Sequence, residues 1–97
     1  MDEPLTHEHF SPYVGTRFGF EGHHLTLLLR SADTQPLFAA PDAPRVPFVL
    51  VFEGPAGDIL PQGFYRTAAH DGSVFEMYVA PMHTPGRDRQ DYQAIFN

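Results

Sequence analysis

The sequence contains no cysteine, which excludes a disulfide framework, a thiolate metal site and a cysteine nucleophile together. Long apolar runs are missing as well. The longest, such as Val46 to Phe52, fall far short of the roughly 20 residues that a membrane helix needs. The opening MDEPLTHEHF is acidic where a secretion signal is basic. The chain is therefore expected to be soluble, acting in the cytoplasm or within an exported assembly without a signal peptide of its own, and no membrane partner is expected. Basic side chains are also scarce: six stand against twelve acidic ones, for a formal charge of -6, and the arginines after Arg30 form no dense patch. Nucleic acid is excluded as an expected partner on that balance.

What the 97 residues do contain is nine Phe and four Tyr among ten Pro and eight Gly. This length makes one domain, 1–97, with a single modest core. Proline and glycine interrupt every window that would keep a clean helical repeat, whereas period-2 alternation recurs. Arg17 to Glu21 sets Phe18 and Phe20 on one face. Glu21-Gly22-His23 turns the chain into His24 to Ser31, where Leu25, Leu27 and Leu29 share a face opposite His24, Thr26, Leu28 and Arg30. Val46 to Glu53 is apolar on both faces and reads as the central strand, with Pro47 at its start. Further strands run from about Gly63 to Ala69, with Tyr65 and Thr67 on one face, and from Ser73 to Ala80, where Phe75, Met77 and Val79 alternate with Glu76 and Tyr78. His70-Asp71-Gly72-Ser73 is the turn between them. Gly54-Pro55 and Leu60-Pro61-Gln62-Gly63 read as two stops, proline ending the pairing and glycine supplying unusual backbone angles. Leu5 to Tyr13 is expected to form one helical turn with Thr6 as its N-cap. Tyr92 to Asn97, without charge, proline or glycine, would be an aggregation hazard as a free edge, so internal pairing is expected.

The pattern predicts an all-β fold, a small antiparallel barrel or sandwich of about six or seven strands. Its core is expected to hold Phe18, Phe20, Leu25, Leu27, Leu29, Phe48, Leu50, Phe52, Tyr65, Phe75, Met77, Val79 and Phe96. Two long connections stand out, Asp33 to Arg45 and Pro81 to Asp91, and Leu37 and Phe38 in the first are expected to fold back on the core.

Chemistry is sought first among the histidines. His7, His9, His23 and His24 supply enough nitrogen ligands for a zinc or iron site. Their spacing opposes it: on a helix His7 and His9 point about 200° apart, and His23 and His24 diverge at a turn. The H-E-x-x-H pattern is absent, and H-x-H precedes the first strand instead of following the cupin arrangement. A small metal-dependent, cupin-like enzyme using these N-terminal histidines is the alternative function. His70, Asp71 and Ser73 are too close in one turn to form a catalytic relay. Asp88 and Asp91 alternate with Arg87 and Arg89 in a loop that reads as solvated. No catalytic, cofactor-binding or metal-ligating residue is assigned, and no cofactor is expected. A small apolar ligand inside the barrel is disfavoured because phenylalanine fills so small an interior.

FSPYVGTRFGF, FVLVFEGP, LPQGFYR, VFEMYVAP and the terminal YQAIFN together span most of the chain. In these segments the sequence resembles a family of short bacterial proteins of unknown function. The resemblance implies an accessory protein found beside phage-tail-collar-type proteins, one that assembles or decorates fibre-like structures, and it transfers no catalytic residue. The proline-rich Asp33 to Arg45 loop departs from the family pattern. The expected function is thus a non-enzymatic structural or interaction protein with a protein partner.

Six histidines balance the formal charge of -6, so protonating all of them brings the net charge to zero. Solubility is expected to pass through a minimum at about pH 5 to 6, read as turbidity across a pH series at fixed salt. Turbidity that stays flat through that window would show that net charge does not control solubility.

Overall fold

The alternating stretches become six strands in the computed structural model, which describes residues 5–35, 46–83 and 88–96. They are β1 (Arg17–Phe20), β2 (Thr26–Thr34), β3 (Phe48–Gly54), β4 (Gly63–Ala68), β5 (Val74–Pro81) and β6 (Gln90–Phe96). All neighbours are antiparallel, and the order β1-β2-β3-β6-β5-β4 closes into a barrel. The fold is the expected small all-β barrel. β3 pairs with β2 on one side and, over its whole length, with β6 on the other. The uncharged stretch from Tyr92 to Phe96 is thus paired internally along β3, as its composition requires. Leu37 and Phe38 lie outside the described residues, as does part of the Pro81 to Asp91 connection.

Two of the six ladders are short. β1 meets β4 only at Gly19↔Ala68 and Phe20↔Thr67, and β5 meets β6 only at Ala80↔Gln93 and Pro81↔Tyr92. The β4–β5 hairpin is therefore held to the other four strands at two narrow seams. The N-terminal segment reinforces one of them. A single helical turn, α1 (His7–Phe10), continues into a 3-10 turn at Ser11–Tyr13. Thr6 precedes α1 in extended conformation, and its backbone N–H donates to His9 Nδ1 at 2.9 Å. Phe10, fully buried, places its ring 4.7 Å from Phe75 of β5, 5.4 Å from Phe96 of β6 and 5.8 Å from Phe48 of β3. It thus bridges β5 and β6 beyond the end of their ladder.

The core contains the expected Phe18, Phe20, Leu25, Leu27, Leu29, Phe48, Leu50, Phe52, Met77, Val79 and Phe96. Tyr65 and Phe75 are partly buried against it. Phe10, Leu60, Ala69, Tyr92 and Ala94 join it from outside the expected set. Rings meet across the interior: Phe18 and Phe52 at 5.5 Å, Phe20 and Phe52 at 5.9 Å. Leu60 reaches the core from the connection between β3 and β4, and its backbone N–H donates to the buried Tyr92 hydroxyl at 2.8 Å. Burial raises the Tyr92 pKa above its ordinary value, so the hydroxyl stays neutral.

β2 runs three residues past Ser31, its expected end, through a break in its alternation. The register shifts between Leu29, opposite Phe52, and Ser31, opposite Val51. Arg30 is the extra residue of a bulge. The shift reverses which residues face inward, so Ala32, opposite Leu50, packs against the core.

Glycine at the two stops has a different reason from the expected one. Among the described residues the positive-φ glycines are Gly15, Gly22 and Gly72, not Gly54 or Gly63. A Cβ on Gly54 would stand 2.5 Å from Leu27 Cδ2 and 3.6 Å from Tyr92 Cε1. Leu27 is fully buried and has little room to retreat. Gly54→Ala is therefore expected to lower stability by about 1 to 3 kcal/mol through overpacking, measured by urea denaturation; an unchanged midpoint would mean that Leu27 rotates away freely.

The 3-10 turn is tied to the β4–β5 turn. Tyr13 donates its hydroxyl hydrogen to Asp71 Oδ2 at 2.8 Å and lies 3.0 Å from Ser73 Oγ, while the Ser73 backbone N–H donates to Asp71 Oδ1 at 2.9 Å. The Ser73 N–H, and next the Tyr13 hydroxyl, hold the Asp71 carboxyl below its ordinary 3.8. A carboxyl with a lowered folded pKa contributes stability that is present above the unfolded value and lost as pH falls through the folded one. Thermal melts from pH 6 downward are expected to show wild type losing this contribution below about pH 4, with Asp71→Asn showing a shallower acid slope. Equal slopes would remove Asp71 from the acid response.

Candidate functional site

The histidines that a metal site requires are dispersed. His7 Nε2 lies 2.8 Å from the Ala32 carbonyl oxygen and ties α1 to the end of β2. His9 is occupied with Thr6. His24 forms an exposed pair with Asp58 at 2.6 Å, and His23 packs its ring edge-on to Tyr65 at 5.3 Å. Among the described residues no three His, Cys, Asp or Glu side chains gather as a metal set would. In the 70–73 turn, Asp71 and Ser73 share Tyr13, and His70 sets its ring edge-on to that same tyrosine.

Asp91 departs from its expected solvated loop. It lies in β6, directly opposite Glu53 of β3, a like-charge pairing that is unfavourable on its own. Arg89 Nε donates to Asp91 at 2.9 Å, and Arg30 Nη1 reaches it at 3.3 Å from the bulge of β2. The two guanidinium groups offset the paired carboxylates, which accounts for the cluster without a ligand. A shallow surface groove of about 320 Å³ lies over Gly19 and Ala68 at the β1–β4 seam, bordered by Glu21, His23, Arg66 and Val74.

The remaining feature is apolar and faces outward. Phe64 of β4 stands directly opposite Tyr78 of β5, and Ile95 of β6 stands opposite Val49 of β3. Extended by two residues along the strands, the Ala80↔Gln93 register brings Tyr78 level with Ile95. One row across the outer surface of four adjacent strands thus reads Phe64, Tyr78, Ile95, Val49. Phe64 is 67% exposed, Ile95 54% and Tyr78 51%. Scattered apolar side chains are ordinary on a protein surface, whereas these three large ones fall in one row across neighbouring strands. In the sequence Tyr78 alternates with Phe75, Met77 and Val79 on the same face as Glu76, and nothing local distinguishes Phe64 or Ile95. Each strand shows the alternation by itself; only the cross-strand register puts the three side chains in one row. Chemically the row offers flat aromatic and aliphatic area and the single phenol hydroxyl of Tyr78.

No curated protein matches the chain. No solved structure matches it either. The model of the Domain of unknown function (DUF6916) matches residues 5–96, a span that takes in α1 and all six strands, and the chain belongs to that family.

Proposed function

We propose that the protein is a non-enzymatic structural or interaction module that docks a protein partner through the outer row of Phe64, Tyr78 and Ile95. The observation that carries this is the alignment of three large, exposed apolar side chains across β4, β5 and β6. Transferring one such side chain from water into a contact is worth about 1.5 to 3 kcal/mol when burial is complete, so each member of the row that is covered adds to the attraction. The barrel interior, packed with phenylalanine rings, suits a rigid platform better than a ligand chamber. The resemblance to accessory proteins found beside phage-tail-collar-type proteins gives the partner a class: a structural component of a fibre-like assembly, met in the cytoplasm or in the assembly after export.

A photo-crosslinking side chain placed at Ile95, at the β6 side of the row, is expected to form adducts in the native cell with a fibre-forming structural protein. The same probe at the exposed Thr26, on β2, is expected to form none. Equal labelling from both positions would show that the row is not a docking face.

A further inference from the structure

The outward side chains of the β4–β5 hairpin are complementary to themselves, and we propose that this face pairs with a second copy of the chain in an isologous, twofold dimer. The inference rests on the docking role of the row and names its occupant at the hairpin end. β4 turns Phe64, Arg66 and Ala68 outward, and β5 turns Tyr78, Glu76 and Val74 outward; all six are exposed. Their register is Phe64↔Tyr78, Arg66↔Glu76 and Ala68↔Val74. Aromatic stands beside aromatic, cation beside anion, and small apolar beside branched apolar.

Consider two such faces brought together about a twofold axis that lies in the contact plane and runs along the hairpin between its strands. The operation lays β4 of one copy over β5 of the other and leaves each row at its own level. Every side chain then meets the counterpart of its cross-strand neighbour. Phe64 meets Tyr78 of the second copy, and Arg66 meets Glu76 of the second copy, each contact occurring twice, as an isologous interface requires. A twofold axis across the strands, through the middle row, would instead set Arg66 over Arg66 and Glu76 over Glu76 of the second copy, like charge on like. Face-to-face packing at the usual sheet separation of about 10 Å leaves room for the two aromatic layers. Arg66 is free to make the contact: its present partner is Glu21 at 3.4 Å, and both side chains are more than half exposed, so the pair exchanges readily with solvent or another carboxylate. Ile95 lies on β6, outside the hairpin, and remains at the margin of the dimer for a further partner.

Charge reversal tests the arrangement by sedimentation velocity. Wild type is expected to dimerise. Arg66→Glu and Glu76→Arg, each alone, set like charges against each other at both contacts and are expected to weaken association by at least about tenfold. An equimolar mixture of the two variants is expected to dimerise again, because the mixed pair restores a cation facing an anion at both contacts. Melting curves check that the single variants stay folded, both sites being exposed. A wild type that stays monomeric up to about 100 μM, which places any Kd above that level, would overturn the dimer. So would single variants that associate undiminished, or a mixture that fails to associate. If wild type is monomeric while a probe at Ile95 still captures another protein, the dimer is refuted and the docking role stands. A dimer that passes the charge test with no capture at Ile95 upholds the dimer and refutes the further partner at the β6 margin.

Discussion

The whole barrel depends on closing a six-stranded sheet across two seams that hydrogen bonding alone secures poorly. β4 and β5 pair with each other along their length, yet each reaches its other neighbour through a ladder of only two residue pairs. What makes closure stable is side-chain packing behind the seams. Phe10 inserts its ring among Phe48, Phe75 and Phe96, and Phe48 and Phe96 stack nearly parallel at 4.6 Å. A ring of this kind, removed from a buried site, typically costs about 3 to 5 kcal/mol, comparable to much of the stability of a small domain. The single turn of α1 is too short to be stable as an isolated helix. It persists because Phe10 is buried, His7 is bound to the Ala32 carbonyl and Tyr13 is bound at the 71–73 turn. Helix and barrel each supply what the other lacks.

That mutual dependence explains what the sequence disclosed and what it withheld. Strands with clean alternation were legible: Leu25, Leu27 and Leu29 face inward as their spacing demands, and so do Phe48, Leu50 and Phe52. Phe10 was not, because it lies in a segment with no strand period and a helix too short to show its own. Leu60 sits in a connection, where burial follows from what the loop crosses and not from local pattern. The bulge at Arg30 was equally hidden. R-S-A-D carries no apolar alternation to lose, and the reversal shows only when Ala32 is set opposite Leu50. Gly54 displays a limit of another kind: a glycine before proline suggests a backbone need, whereas the actual need is space for Leu27, 27 positions earlier in the chain.

The candidate site was less legible than the core for a related reason. Core residues can be nominated strand by strand, since each strand declares its inward face. A surface row requires knowing which strands are neighbours and in which register. Here the neighbours of β6 are β3 and β5, so a row passing from Val49 to Ile95 to Tyr78 to Phe64 visits the chain out of order. Only the Phe64–Tyr78 step lies within a hairpin, and even that depends on the length of the 69–73 turn. The histidines are the reverse case. They are conspicuous in sequence because two H-x-H and H-H clusters fall within a short stretch, yet the turn after β1 and the placement of α1 send them to separate partners.

Electrostatics on this surface follow the same division between structure and availability. Glu53 and Asp91 face each other in a ladder, and Arg30 and Arg89 converge on that spot, so four charged groups are committed to keeping one register tolerable. Asp71 is committed to Tyr13 and Ser73. Arg66 and Glu76 stand differently. They face each other across β4 and β5 on a solvated surface, and the Arg66 ion pair with Glu21 is open to exchange. A strand pair can relieve its own charges internally and still present them outward. When the pair borders two large aromatic side chains, the same cation and anion that are neighbours within one sheet become the means by which a second, identical sheet is recognised. The specificity then comes from order along the strands, aromatic before charged before small, while the apolar area supplies the attraction.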